Sequence, residues 1–225
     1  MSAPKSYLEI ARHYEACLRQ HGDTHLGVDW PNEKDAYLRY QVMLEVIRGT
    51  LDTPVSLLDF GCGTSHLYEY MQRGSWRQVE YIGLDISPEY VKLAQAKYPD
   101  IAYYCVDILA YDEAMPEVDY VVMNGVFTEK RGLSFAEMWE YFQRMLTSVF
   151  RRVRRGMAFN VMSKQVDWER DDLFHLSTDL LFAFLKENLS RHWVLRHEYG
   201  LYEYTVYVYK TSHAAVLQYN VPYTG

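Results

Sequence analysis

The stretch Val55-Ser56-Leu57-Leu58-Asp59-Phe60-Gly61-Cys62-Gly63-Thr64 decides the fold. Six residues, mostly apolar and without strict alternation, run into two glycines one residue apart. An unbroken apolar run of that length suits a strand covered on both faces. Neither glycine has a Cβ, so the backbone can turn tightly there and come close to a bound molecule. Thr64 then stands where a helix over residues 65–72 is to be capped.

Outward from this turn the same grammar repeats. A second apolar run, 79–85, precedes Ser87-Pro88, an N-cap and first-turn pair for a helix reaching residue 98. Strands are predicted over 101–106 and 118–123, a long helix over 134–155 and a fifth strand over 157–162. A helix over 172–188 follows. The Tyr- and Val-rich segments 193–199 and 202–209 then form an antiparallel hairpin about Gly200. Before the first strand, apolar spacing gives helices over 7–20 and 33–49, with Gly49 as a stop. Strand and helix alternate, which implies a mostly parallel sheet with helices on both faces and an antiparallel addition at one edge. Ligands of such sheets lie beyond the carboxyl ends of the strands.

Those ends carry ligand-like groups. Asp59 and Phe60 lead into Gly61 and Gly63, and Asp85-Ile86 follows the second strand, twenty-two residues past Gly63. A carboxylate there accepts hydrogen bonds from a ribose diol. Asp107-Ile108 follows the third strand and Asn124-Gly125 the fourth. A dinucleotide turn wants a third glycine where His66 stands, and the Gly-Lys-Ser/Thr of a nucleotide-triphosphate loop is absent. Asp59 is unwelcome beside a diphosphate and useful beside a cation.

Leu57-Leu58-Asp59-Phe60-Gly61-Cys62-Gly63-Thr64 with Tyr81-Ile82-Gly83-Leu84-Asp85-Ile86-Ser87 resembles the class I S-adenosylmethionine-dependent methyltransferases, over roughly residues 55 to 210. The resemblance implies an α/β, Rossmann-like, mostly parallel seven-stranded sheet whose last strand is antiparallel, and S-adenosyl-L-methionine as cofactor. It implies a binding set of Asp59, Phe60, Gly61, Gly63, Asp85, Ile86, Asp107, Ile108, Asn124 and Gly125. Within that set the Gly61/Gly63 loop lies against the methionyl part and Asp85 takes the ribose hydroxyls. Asp107 meets the adenine amino group between Ile86 and Ile108, and Asn124 and Gly125 lie near the sulfonium. Ser65 departs from the family, many of whose members have a third glycine there. The helices before the first strand are expected to form a lid, with Trp30 covering the ligand, Arg39 pairing the methionyl carboxylate, and Tyr7 and Tyr14 as further lid contacts.

The strings Asn124 to Lys130, Ala158 to Val161 and Tyr202 to Val206 are similar to bacterial methyltransferases of polysaccharide and secondary-metabolite clusters. That similarity favours a small-molecule or saccharide acceptor bearing a hydroxyl or amine. A hydroxyl needs a general base, for which Glu129, His175 and Glu203 are the candidates.

Composition sets the outer limits. The chain has 225 residues, 23 basic and 30 acidic groups and a net charge of −7, which argues against nucleic acid or an anionic membrane as partner. Arg151 to Arg155 is read as the dipole-favoured end of the long helix rather than an RNA surface. The acids between Asp167 and Asp172 are read as solvated charge, with no metal site. Three scattered cysteines suit neither a disulfide framework nor structural zinc, and with no signal-like segment the chain reads as cytoplasmic. One domain is expected: lid 1–50, core 51–210, tail 211–225. An RNA methyltransferase and a non-catalytic cofactor-binding partner are the alternatives.

Overall fold

The computed structural model describes residues 7–49 and 53–213; most of the expected tail and residues 1–6 of the expected lid lie outside them. Within that span the helices are α1 (Leu8–His21), α2 (Glu33–Leu44), α3 (His66–Gln72), α4 (Pro88–Lys97), α5 (Phe135–Arg151) and α6 (Thr178–Asn188). The strands are β1 (Val55–Phe60), β2 (Val79–Asp85), β3 (Ala102–Cys105), β4 (Val118–Met123), β5 (Val153–Ser163), β6 (His175–Leu176), β7 (His192–Arg196) and β8 (Glu203–Tyr209). They form one sheet in the order β3-β2-β1-β4-β5-β8-β7, with β6 paired to the end of β5. β1, β2, β3, β4, β5 and β6 pair in parallel, and β8 runs antiparallel to both its neighbours.

The strands read as unbroken apolar runs because successive side chains bury on opposite faces. Leu58 and Val121 pack on one face against Phe142, Leu146 and Val149 of α5 and Leu181 and Leu185 of α6. Leu57, Val122 and Tyr120 pack on the other with Tyr40 and Met43 of α2 and Leu67 and Met71 of α3. The tyrosines of the last strand belong to the core: Tyr204, Tyr207 and Tyr209 are buried. Their polar tips find partners, Tyr204 donating to the Leu176 carbonyl at 3.0 Å and Tyr207 to that of Val42 at 2.5 Å.

Three expectations are corrected. The sheet has eight strands rather than seven, because His175–Leu176 pairs with Met162–Ser163 and the helix predicted from 172 starts only at Thr178, capped by Ser177. The β7–β8 hairpin does form one edge of the sheet as expected, with the last strand, β8, antiparallel to both its neighbours. The second helix stops at Leu44 and not at Gly49. The long helix ends at Arg151, after which the ladder to β4, beginning at Val118↔Val153, takes the chain into β5. Arg154 and Arg155 therefore belong to a strand. Arg154 pairs with Asp119 at 3.1 Å and Arg155 lies over the Tyr120 ring at 5.4 Å. These cations sit at the amino end of β5, about 17 Å along the strand from Asn160 at an extended rise.

Candidate active site: a roofed cavity at the strand ends

The carboxyl ends of β1 to β4 form the floor of a cavity with about 1110 Å³ of empty space, including the open solvent at its mouth. Phe60, Gly61, Gly63, Asp59, Asp85, Ile86, Asp107, Ile108, Asn124 and Gly125 all line it. The topology thus brings together ten expected residues from four separate turns.

Gly61 and Gly63 both have positive φ, at 75° and 53°. Gly61 also has no room for a side chain, since a Cβ would meet Val126 Cγ2 at 2.9 Å. Ser65, in place of the family's third glycine, still adopts the left-handed backbone, with φ 67°. That conformation costs a non-glycine residue roughly 1–2 kcal/mol, and it is held by a 2.8 Å hydroxyl contact with Tyr103.

Asp85 is buried and pinned at both oxygens. It accepts from the backbone N–H of Gly63 and of Ser87, each at 2.9 Å. Burial raises its pKa while those two N–H donors oppose the rise. Each carboxylate oxygen retains acceptor capacity beyond these bonds. Asp107 accepts from Leu109 N–H at 3.1 Å and from the Tyr7 hydroxyl at 2.9 Å. Tyr7 in turn stacks on Tyr141 at 5.1 Å. Asp59 accepts from Tyr81 at 2.7 Å, and burial pushes its carboxyl from the ordinary 3.8 up to about 7. Asn124 Oδ1 is buried and has no hydrogen-bond partner among the described residues. A buried acceptor left without a partner, in a residue that lines such a cavity, calls for a donor or cation.

The roof comes from α1 and the turn after it. Tyr7, Ile10, Ala11, Tyr14, Val28 and Trp30 face the cavity. The Tyr14 hydroxyl donates to the Gly125 carbonyl at 3.3 Å, and the Trp30 ring lies so close over Gly125 that a Cβ there would be 2.7 Å from it. The Tyr90 hydroxyl, 2.8 and 2.7 Å from the carbonyls of Tyr14 and Gly27, ties the roof to α4. Ser87 donates to Glu15 at 2.7 Å, and Arg19 pairs with Glu89 at 2.8 Å.

Other expected residues lie elsewhere. Arg39 does not face the cavity; its guanidinium binds Glu203 at 2.9 and 3.0 Å and lies 4.1 Å from the Trp30 ring centroid. Its side chain is 12% exposed and that of Glu203 2%, so the pair is desolvated. Asn160 donates to Glu203 at 2.8 Å and accepts from Gly125 N–H at 2.8 Å. One buried chain thus joins α2, β8, β5 and the Asn124-Gly125 turn. Glu129 is bridged to Leu173, accepts from Arg131 at 3.2 Å and lies outside the cavity lining, with its pKa raised by burial. His175 is buried with both ring nitrogens engaged by backbone: Nδ1 meets the Ser163 carbonyl at 2.6 Å and Nε2 accepts from Arg170 N–H at 3.2 Å. Tyr81 and Asn160 stand inside strings that carry the resemblance but have no role there, because each acts through a partner on another strand.

A doubly wound sheet with acids at the carboxyl ends of its first three strands, a two-glycine turn and a roofed cavity defines a nucleoside-binding protein of Rossmann-like fold. Residues 57–158 match the family described as methyltransferase domain. A Mycobacterium tuberculosis (strain ATCC 25618 / H37Rv) protein named as a methyltransferase, Rv1506c, is 32% identical over 161 residues, covering 71% of this chain and 95% of that protein. The chain belongs to the class I S-adenosylmethionine-dependent methyltransferases, and S-adenosyl-L-methionine is the cofactor of that class. Magnesium protoporphyrin IX methyltransferase from Synechocystis PCC 6803, solved with bound SAM, shares the fold at TM-score 0.62 and 15% identity, over 94% of this chain and 100% of that one. So does the 1,6-didemethyltoxoflavin-N1-methyltransferase of Burkholderia thailandensis, at TM-score 0.61 and 16% identity, over 94% and 92%. The floor residues fit the cofactor: they offer fixed acceptors, a buried orphan oxygen, apolar walls and one acid poised near neutrality. No helix among the described residues is long and apolar enough to cross a membrane.

Proposed function

We propose that this methyltransferase acts on a hydroxyl or amine of a small molecule or saccharide. The observation that carries the reading is the roof. Tyr7, Tyr14 and Trp30 are each bonded to or packed on the cavity floor, and an enclosed site of that kind suits a compact acceptor. The alternative RNA reading is disfavoured because Arg154 and Arg155 lie at the opposite end of β5, away from the cavity. The two enzymes of like fold described above are named for magnesium protoporphyrin IX and for 1,6-didemethyltoxoflavin.

When bound, S-adenosyl-L-methionine supplies an electrophilic methyl on a sulfonium. The chain's residues then bind, orient and exclude water. Asp85 takes the ribose hydroxyls with the acceptor capacity its two backbone bonds leave. Asp107, Ile86 and Ile108 hold the adenine, and Phe60, Gly61 and Gly63 border the methionyl part. Asn124 offers its orphan oxygen beside the reacting end, and Trp30 covers it. Arg39 serves this site from behind, seating Trp30 and the turn that carries Asn124. Of the proposed bases, Glu129 is the one whose charge reaches a cavity residue, Tyr14. Glu129→Gln is expected to lower kcat while the Kd for cofactor stays unchanged, and unchanged kcat removes it from the chemistry. His175→Ala, with its ring spent on two backbone partners, is expected to lower stability and leave the pH profile of kcat in place.

The reading is tested by incubating the purified chain with methyl-labelled cofactor and a panel of small alcohols, amines and sugars beside total tRNA. Label is expected in a small acceptor; label in tRNA alone overturns the proposal.

Asp59 gives a pH prediction. Its folded-state pKa of about 7 lies above the ordinary value. The stability it contributes is therefore fully present at low pH and is lost as pH rises through about 4 to 7. Cofactor affinity moves the other way, because a nearby cation favours the ionised carboxylate. Calorimetry is expected to show affinity rising from about pH 6 to about pH 8, with proton release at the lower pH. Asp59→Asn is expected to flatten the curve; an equally steep curve in that variant rules Asp59 out as its source.

A further inference from the structure

Outside the cavity, three metal-binding side chains of different chemistry converge at one point. His13 and Cys17 are four residues apart on α1 and so share a helix face. Asp29 follows the short turn His25–Val28 and is in the left-handed conformation, φ 57°. His13 Nε2 lies 2.7 Å from Asp29 Oδ2 and 3.7 Å from Cys17 Sγ, and the three donor atoms all lie within 4.8 Å of one another. All three residues are half-buried. The charges felt around them are those of Glu129 and Asp29 against Arg131, and Arg131 is itself paired with Glu129 at 3.2 Å and Asp172 at 3.7 Å. Glu129 and Asp172 are offset by Arg131 and Arg170, so the negative charge left at this point is that of Asp29 itself.

We propose that His13, Cys17 and Asp29 form a binding site for a zinc-type divalent cation that clasps the roof of the cavity. One nitrogen, one sulfur and one carboxylate oxygen are the donor types zinc takes, with water as a fourth ligand. Tetrahedral zinc at ordinary bond lengths sets its nitrogen and sulfur ligands about 3.5 Å apart and its nitrogen and oxygen ligands about 3.3 Å apart. The Cys17–His13 separation is already close to that. The His13–Asp29 contact has to open by roughly half an ångström, within reach of a small χ adjustment. Binding releases the thiol proton of Cys17 to solvent, and the proton that His13 Nε2 donates to Asp29 gives way to the tautomer protonated at Nδ1, which frees Nε2, Sγ and a carboxylate oxygen for the ion. Its structural consequence follows from position. His13 and Cys17 flank Tyr14 on α1, and Asp29 immediately precedes Trp30. A metal bridging them locks together the two segments that cover Gly125.

The test uses the full chain, stripped with a chelator and titrated with Co²⁺ and then Zn²⁺. One equivalent of cobalt is expected, with a thiolate-to-cobalt charge-transfer band that zinc abolishes. Cys17→Ser is expected to lose that band, and His13→Ala to weaken zinc binding by more than about tenfold. Zinc is expected to raise the Tm of the wild type and not that of Cys17→Ser. The thiolate band is read on the wild-type chain and needs no variant to fold. A cobalt complex without it, binding at other than one equivalent, or zinc affinity unchanged in Cys17→Ser overturns the site. Methyl-transfer activity does not enter the readout.

Discussion

Asp85→Ala is expected to weaken S-adenosyl-L-methionine binding by about two to four orders of magnitude. The carboxylate ends β2, is buried, and is clamped by the N–H groups of Gly63 and Ser87 at 2.9 Å. A clamped acceptor presents its remaining lone pairs in one orientation, so the ligand bears no ordering cost for them. Each hydrogen bond to a charged group contributes about 1.5–3 kcal/mol, and a ribose diol makes two. Alanine removes both and also frees the glycine turn, so the loss is a direct one plus a positional one. The fold has less at stake. Two backbone N–H groups lose a partner, but a buried carboxylate with a raised pKa is removed with them. Calorimetry with circular dichroism on the same sample separates the two effects. Unchanged cofactor affinity in a folded Asp85→Ala sinks the assignment.

The second large effect is on stability. Glu203→Ala is expected to cost about 3–5 kcal/mol in denaturant unfolding, the usual penalty for leaving one member of a buried ion pair alone. Arg39 is held by both oxygens of Glu203 and is 12% exposed, so water cannot take the carboxylate's place. Asn160, itself fully buried, loses an acceptor at the same time. The double variant Arg39→Met/Glu203→Ala is expected to recover much of the loss, because an apolar stem leaves no uncompensated charge. A loss below about 1 kcal/mol in the single variant contradicts a buried pair and matches an exposed one.

Particular residues show how far reading the chain could go. Asp59, Asp85, Asp107 and Asn124 were legible as a set, because each stands directly after an apolar run and strand ends of a parallel sheet share one edge. The strand limits near 155 and 173 were not. Arg154, Arg155 and His175 are spent on ladders with β4 and β5, and pairing with a distant strand overrides local propensity. The partners of Arg39 escaped for a related reason. A guanidinium near a carboxylate-bearing ligand and one near Glu203, 164 residues away, look identical along the chain.

The amino-acid sequence by itself determined the class of sheet, the turn that begins the site and the acids that line its floor. Those depend on chain order, periodicity and the absence of a Cβ, all of them local properties. Tertiary structure alone decided which acids stay in the cavity and which are consumed by internal partners. It decided that Tyr7 reaches Asp107, 100 residues away, and that His13, Cys17 and Asp29 meet. Such choices follow from which polar groups lose water together when the elements pack, and spacing along the chain does not record that.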